Sequence, residues 1–208
     1  QAIRKRDHFG SVSPEELAAL LPETELHIPV EGGRTVHVYE ERPDHLPEKA
    51  ALVLNFTARL HQGRTDRDRR YCCTIMEQLN ALVWDVDYCI APEEPFPVAV
   101  EGHGIAAYAF DHAEELGIDP DKIILAGHSA GGNLVAAVCL KNAETHRLHP
   151  CCVLMEYFPT DNTVDPLRRL SPELQKTRLG KRAETEKLYT DFYVGKADPA
   201  DPLCSPAK

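Results

Sequence analysis

Residues 127–132, with the sequence G-H-S-A-G-G, restrict the fold more than any other part of the chain. They lie between a short apolar run at 122–126, typical of a buried strand, and a helical pattern that extends from Ser129 to residue 145. A G-x-S-x-G sequence at such a junction predicts a sharp strand-to-helix turn, because the glycines let the strand and the helix approach closely. The turn would raise the serine hydroxyl above the sheet. The alternative interpretation is a glycine-rich turn that serves packing alone.

Short apolar runs alternate with helical patterns along the rest of the chain, which indicates an α/β fold with a largely parallel sheet. A hairpin turn is predicted at 31–33, and the proline-rich segment 91–97 is predicted to be a loop. Strands are predicted at 24–30, 34–39, 50–56, 81–88, 122–126 and 151–157, the third and the last two of them buried. Helices are predicted at 66–80, 98–116, 129–145 and 182–193. Residues 158–208 are polar and rich in proline, so they predict no further strand and are typical of an insertion or lid.

Composition excludes several classes of partner. The 208 residues carry 23 lysines and arginines against 33 acidic residues, and the net charge of −10 disfavours binding to nucleic acid or to anionic lipid. No apolar run approaches the roughly 20 residues that span a bilayer. The seven cysteines are odd in number and lack the C-x-x-C spacing of zinc or redox sites, so we expect reduced thiols, no metal site and a cytoplasmic protein.

The chemistry expected of the turn is nucleophilic. Ser129 is the predicted nucleophile, since the turn exposes its hydroxyl and the helix that follows directs unpaired N–H groups at the same point. The N–H group of Ala130 is then placed to bind the oxyanion of an acyl-transfer intermediate.

A serine hydroxyl needs a general base, and no histidine in the sequence is an evident candidate. The adjacent His128 is expected to point away from the hydroxyl. His146 and His149 lie at the far end of the helix, roughly 25 Å away at 1.5 Å per residue. His61 and His103 lie on segments that border the predicted site but are expected on the surface. No complete catalytic triad is evident.

Two segments resemble the hormone-sensitive-lipase-like esterases, a family of α/β-hydrolases. Residues 87–99, D-Y-C-I-A-P-E-E-P-F-P-V-A, resemble the family signature Y-R-L-A-P-E-x-P-F-P-A-A, and residues 127–133 resemble its nucleophile motif G-D-S-A-G-G-N. The resemblance covers roughly 24–206. It implies an α/β-hydrolase fold, a small-molecule ester of short acyl chain as substrate, a Ser-Asp-His triad and no cofactor. It also implies that residues 1–23 and 158–208 contribute a lid to the core at 24–157.

The sequence departs from the family pattern in two places. Where relatives have the oxyanion motif H-G-G-G, this chain has residues 57–60, T-A-R-L, so the N–H groups of Ala58 and Arg59 are the remaining candidate donors. In relatives, two further strands follow, and the loops after them carry the catalytic Asp and His. We therefore expect those strands to lie beyond Lys208, the 208 residues to be inactive alone, and the sheet to have an uncovered apolar edge.

Three hypotheses follow. The first is a serine carboxylesterase whose triad is completed beyond Lys208. The second is a hydrolase-like ligand-binding module without catalysis, motivated by the altered loop after Phe56. The third is an interaction protein that pairs its sheet edge with another chain, and a homo-oligomer remains open in each case.

Overall fold

The computed structural model describes residues 12–57 and 63–208. They form one six-stranded sheet flanked by helices. The strands are β1 (Thr24–Pro29), β2 (Thr35–Glu41), β3 (Ala50–Phe56), β4 (Leu82–Asp87), β5 (Ile118–His128) and β6 (Cys152–Glu156). The helices are α1 (Pro14–Ala18), α2 (Asp66–Leu79), α3 (Gly102–Asp111), α4 (Ala113–Leu116), α5 (Ala130–Thr145), α6 (Pro172–Gln175) and α7 (Arg178–Val194), with 3₁₀ turns at Val98–Glu101 and Pro166–Arg169.

The sheet has the strand order β1-β2-β4-β3-β5-β6. β2 pairs antiparallel with β1 and β4, whereas β3, β4, β5 and β6 run parallel to one another. The predicted α/β fold with a largely parallel sheet is confirmed. Phe56 at the end of β3 pairs with Gly127 of β5, and His128 pairs with Glu156 at the end of β6. The carboxyl ends of these three strands therefore meet at one edge of the sheet, just before α5 begins.

The core lies on both faces of the sheet. The larger cluster includes Phe56, Trp84, Leu125 and Ile105, and the smaller one packs Met76 of α2 against the strands. In β3, six of the seven residues are buried and one is half-buried, as the run of apolar residues predicts.

The prediction that the strand at 151–157 is buried is wrong. All five residues of β6 are exposed, among them Val153, Leu154 and Met155 with 37–45% of their surface accessible. β6 pairs with β5 along one side, and within residues 12–57 and 63–208 no strand pairs with its other side. An apolar run indicates a strand, but its burial depends on neighbours that the run does not specify.

The helix predicted over 98–116 is divided in the structure. It consists of a 3₁₀ turn, α3 and α4, with the break at His112, whose ring stacks on Tyr108 and whose Nδ1 lies 3.0 Å from the Tyr108 carbonyl oxygen. β5 begins at Ile118, earlier than predicted, because Ile118 pairs with Ala50 across an irregularity in the register. The segment 158–208 contains no strand, as predicted, and its main element is α7.

A partly buried arginine just before α2 is bonded to two strands of the sheet. Arg64 donates from Nε to Asp85 (2.6 Å), from Nη1 to Glu23 (2.6 Å) and from Nη2 to Glu41 (3.3 Å). Its guanidinium carbon lies 4.0 Å from the centroid of the Tyr39 ring. Glu41 is fully buried and its Oε2 has no hydrogen-bond partner within the described part of the chain. Burial, with a smaller contribution from Glu23, raises the pKa of the Glu41 carboxyl to about 7.

Glu41→Gln is expected to stabilise the fold at pH 8 by on the order of 1 kcal/mol. The carboxyl titrates near 4.5 when unfolded and near 7 when folded, so stability is lost as the pH rises between these values and the full penalty remains above pH 7. Glutamine keeps the shape without the charge. Urea unfolding at pH 4.5 and pH 8 measures the difference, with the exposed Glu184→Gln as control. Equal stability of wild type and Glu41→Gln at pH 8 would contradict it.

Candidate active site

Ser129 lies in a sharp turn between β5 and α5. Its backbone angles are φ 53° and ψ −123°, a conformation that side-chain-bearing residues rarely adopt. The Ser129 N–H donates to the carbonyl of Glu156 at 2.9 Å, and its own carbonyl accepts the N–H of Asn133 at 3.3 Å. The predicted strand-to-helix turn is confirmed. Such a conformation costs about 1–3 kcal/mol and persists because the surrounding structure holds it.

The glycines beside the serine are required by close backbone contacts. A Cβ on Gly127 would lie 2.5 Å from the carbonyl oxygen of Gly131, and a Cβ on Gly131 would lie 1.7 Å from that of Phe56. A Cβ on Gly132 would lie 2.7 Å from Cβ of Phe158. The end of β5, the first turn of α5 and the end of β3 therefore approach more closely than side chains would allow.

The hydroxyl of Ser129 makes no capping bond, although the residue precedes a helix. Five other caps in the described chain use their side-chain oxygen in the usual way, by accepting a backbone N–H two or three residues on; they are Ser13, Thr65, Asp165, Ser171 and Thr177. Those residues have extended backbone, whereas Ser129 does not. The turn thus leaves the hydroxyl of Ser129, a half-buried residue, without a bond to the first turn of its own helix.

The N-terminus of α5 provides N–H donors beside this hydroxyl. The first N–H groups of an α-helix have no partner within the helix, and Ala130 is the first residue of α5. These N–H groups carry the positive end of the dipole of a 16-residue helix. The other two candidate donors, Ala58 and Arg59, lie outside the described residues.

The end of β3 is fixed by a contact that the sequence analysis did not single out. The Tyr88 hydroxyl donates to the carbonyl oxygen of Thr57 at 2.5 Å, and both residues are buried. The signal was available, since Tyr88 is the tyrosine of the signature at 87–99. The residue just before the proline-rich loop therefore positions Thr57, the first residue of the segment 57–60.

The described histidines lie away from the serine hydroxyl or are engaged elsewhere. The ring of His128 packs between Tyr71 and Tyr157, with ring centroids 5.5 and 5.9 Å away, and burial lowers its pKa. His146 ends α5, about 24 Å from its start by the helical rise, and His149 follows it. No histidine nitrogen within residues 12–57 and 63–208 is hydrogen-bonded to the Ser129 hydroxyl.

The prediction that His103 lies on the surface is wrong. It is 7% exposed on α3, its Nε2 has no partner within the described chain, and burial lowers its pKa. The nearby charges of Lys141, near the C-terminal end of α5, and of Arg147, just after that helix, lower this pKa further. His103 is therefore a buried residue of α3. The remaining candidate, His61, lies outside the described residues.

Asn133 is a buried polar residue that the sequence analysis did not recognise. It lies in the first full turn of α5 with 2% of its surface exposed. Its Nδ2 donates to the carbonyls of Pro159 (2.9 Å) and Cys204 (3.0 Å), and its Oδ1 accepts the Tyr193 hydroxyl (3.2 Å). Asn133 thus connects the helix of the turn to three points in the segment 158–208.

A family model described as alpha/beta hydrolase fold matches residues 60–208. The chain belongs to the α/β-hydrolase family. The predicted fold is therefore confirmed at the level of the family as well as by the strand order.

This α/β-hydrolase has relatives that are named hydrolases and lipases. It is 32% identical over 148 residues to an AB hydrolase superfamily protein of Schizosaccharomyces pombe, covering 69% of this chain and 43% of that one. It is 30% identical over 167 residues to the hormone-sensitive lipase of Homo sapiens, covering 79% of this chain and 14% of the lipase. These matches confirm the resemblance to the hormone-sensitive-lipase-like group.

The solved structures most similar to the α/β-hydrolase fold described here include two esterases. Bacterial heroin esterase aligns with a TM-score of 0.77 and 27% identity, over 93% of this chain and 64% of the esterase. The thermophilic carboxylesterase EstE1, cloned from a metagenomic library, aligns with a TM-score of 0.76 and 27% identity, over 90% of this chain and 64% of that one. The chain therefore spans less than two thirds of the length of the relatives it matches.

Among residues 12–57 and 63–208, no group of histidines, cysteines or carboxylates is arranged to hold a metal ion. No helix in the same ranges is long and apolar enough to cross a bilayer.

Proposed function

We propose that this chain carries the nucleophile of a serine carboxylesterase that acts on small esters of short acyl chain. The observation that supports it most is the strained turn at Ser129, a half-buried residue whose hydroxyl makes no capping bond at the N-terminus of α5. A strained residue at a helix N-terminus is costly, and such strain is found mainly at functional sites. The esterases and lipases among the relatives support the same class of reaction.

The reaction would proceed in two steps through an acyl-enzyme. A general base takes the proton of the Ser129 hydroxyl while Oγ attacks the ester carbonyl carbon, and the N–H of Ala130 donates to the oxyanion. The tetrahedral intermediate collapses, the C–O bond to the alcohol breaks, and the alcohol leaves with the proton from the base. Water, activated by the same base, then attacks the acyl carbon and releases the carboxylic acid and the free serine.

The general base and its acid partner would come from outside the described residues. Within those residues no histidine is bonded to the serine hydroxyl, and His128 is held between two tyrosines. The N–H groups of Ala58 and Arg59 are proposed as the further oxyanion donors, since each carries a backbone N–H at the position of the family's oxyanion motif.

Labelling of the intact protein with a fluorophosphonate tests this function. We expect one labelled peptide, which contains Ser129, and loss of that label in Ser129→Ala with unchanged label in Ser171→Ala. The reagent reacts with activated serines and not with ordinary hydroxyls. No label on the intact wild-type protein, or a label that persists in Ser129→Ala, would refute the proposal.

A ligand-binding module without catalysis is the second candidate. It is favoured by residues 57–60, where side chains replace the glycines of the family's oxyanion motif, and loss of one oxyanion donor typically costs about 10²–10³ in rate. Intact protein that binds a small ester but does not turn over p-nitrophenyl acetate would support it. Recovery of turnover when glycines replace residues 57–60 would identify the loop as the cause.

A further inference from the structure

Both the Nδ2 group and the Oδ1 atom of the buried Asn133 side chain are hydrogen-bonded to other groups of the protein. Two carbonyls, of Pro159 and Cys204, accept from Nδ2, and the Tyr193 hydroxyl donates to Oδ1. Burial raises the pKa of the Tyr193 phenol, so this hydroxyl remains a donor across the working range of pH. A buried amide satisfied on both sides holds its orientation, because each unmade bond would cost about 1–3 kcal/mol.

The partners of Asn133 are themselves fixed to the body of the protein. The carbonyl of Tyr193 accepts the N–H of Phe96 at 2.7 Å, and the two rings meet edge to face at 5.9 Å. The carbonyl of Cys204 also accepts Nδ2 of Asn162 at 2.7 Å. The segment 158–205, to which Asn133 is bonded, is therefore itself held in place by internal contacts and by contacts with the proline-rich loop.

This contact set bears directly on the strained turn. The backbone N–H of Asn133 donates to the carbonyl of Ser129, which closes the first turn of α5. A residue at φ 53° and ψ −123° would relax if its helix could shift, so restraints on the first turn of that helix maintain the strain. The close contacts of the glycines prevent α5 from moving closer to β3 and β5. The hydrogen bonds of the Asn133 side chain prevent α5 from moving away from the segment 158–205.

We infer that Asn133 is a positioning residue, which holds the Ser129 hydroxyl and the N–H of Ala130 in their reactive arrangement through its contacts with Tyr193, Pro159 and Cys204. This inference rests on the proposed function. Asn133 does not touch the reacting atoms; it acts through the backbone of the turn. Its loss should therefore lower kcat while KM changes little, because the geometry of the transition state is affected more than the binding of the ester.

The test compares two asparagines of the same helix. Asn142 lies near the other end of α5 and is bonded in a similar way: its Nδ2 donates to the Leu148 carbonyl (2.9 Å) and its Oδ1 accepts the Leu148 N–H (2.7 Å). In the intact protein, Asn133→Leu is expected to lower kcat for p-nitrophenyl acetate by about tenfold or more, with KM within about twofold. Asn142→Leu is expected to leave both constants within about twofold while lowering stability.

Tyr193→Phe is a milder variant, which tests the inference even where Asn133→Leu does not fold. It removes one of the three bonds to the amide, so kcat should fall by about threefold, less than in Asn133→Leu. Hydrogen exchange provides a readout that does not need turnover. The amides of residues 133–137, whose N–H groups close the first turns of α5, should exchange faster in Asn133→Leu and Tyr193→Phe and be unchanged in Asn142→Leu.

The outcomes separate this inference from the function on which it rests. If the wild-type protein hydrolyses esters but the variants at Asn133 and Tyr193 lose no more kcat than Asn142→Leu, Asn133 is a structural residue only and the inference is wrong. If the wild-type protein hydrolyses no ester and takes up no fluorophosphonate, the proposed function fails. Hydrogen exchange then decides alone, and unchanged protection of residues 133–137 in both variants would overturn the inference.

Discussion

Replacing Ser129 with alanine in the intact protein is expected to lower kcat for ester hydrolysis by about 10⁴-fold or more, because no acyl-enzyme can form. The fold should be unaffected. Alanine tolerates φ 53° as poorly as serine does, and the serine hydroxyl makes no capping bond that could be lost. Steady-state turnover of p-nitrophenyl acetate and thermal unfolding of the same samples measure both parts of this prediction.

Ser129→Gly should also abolish turnover but stabilise the protein by about 1 kcal/mol. Glycine relieves about 1–3 kcal/mol of strain at a positive φ, and its greater freedom in the unfolded chain offsets roughly 0.5–1 kcal/mol of that gain. Ser171→Ala is the matched control, since Ser171 does accept the N–H of Leu174. Loss of this cap should lower the free energy of unfolding by about 0.5–1 kcal/mol and leave kcat unchanged.

The outcome that would contradict the prediction for Ser129→Ala is retention of more than about a tenth of kcat. Another residue would then be the nucleophile.

The turn at Ser129 could be predicted from the sequence because its determinants are local. Two glycines within two residues of the serine, a preceding apolar run and a following helical pattern specify a strand, a turn and a helix with little help from the rest of the chain. The same holds for the hairpin at 31–33, where Gly32 and Gly33 both have positive φ.

What could not be predicted depends on residues far apart in the chain. The partners of the Asn133 side chain lie 26, 60 and 71 residues away in the chain, so no local sequence pattern predicts these contacts. A polar residue in a helical pattern usually faces solvent, yet the packing of α3 buries His103. The exposure of β6 has the same origin, since an apolar run predicts a strand but not the elements that cover it.

Gly131→Ala is expected to lower the free energy of unfolding by about 3 kcal/mol or more, enough to lower Tm by roughly 10 °C or to prevent soluble folding. The new Cβ would lie 1.7 Å from the carbonyl oxygen of Phe56 and 2.4 Å from its carbonyl carbon. Both are backbone atoms of a central strand, so no side-chain rotation relieves the overlap. Either β3 or the first turn of α5 must move, and the Ser129 turn moves with it. Soluble yield and thermal unfolding by circular dichroism provide the measurement.

Helix propensity opposes this effect and is too small to reverse it. Glycine to alanine in a helix is worth up to about 1 kcal/mol in favour of alanine, and by propensity alone the substitution in α5 would stabilise the protein. The control is Gly63→Ala, where a Cβ meets no heavy atom within 4 Å and φ lies outside the left-handed region. This variant should unfold within about 0.5 kcal/mol of the wild type. If Gly131→Ala were as stable as Gly63→Ala, α5 and β3 could not be as close together as the structure has them. The close packing of β3 against α5 would then not explain the glycines beside Ser129.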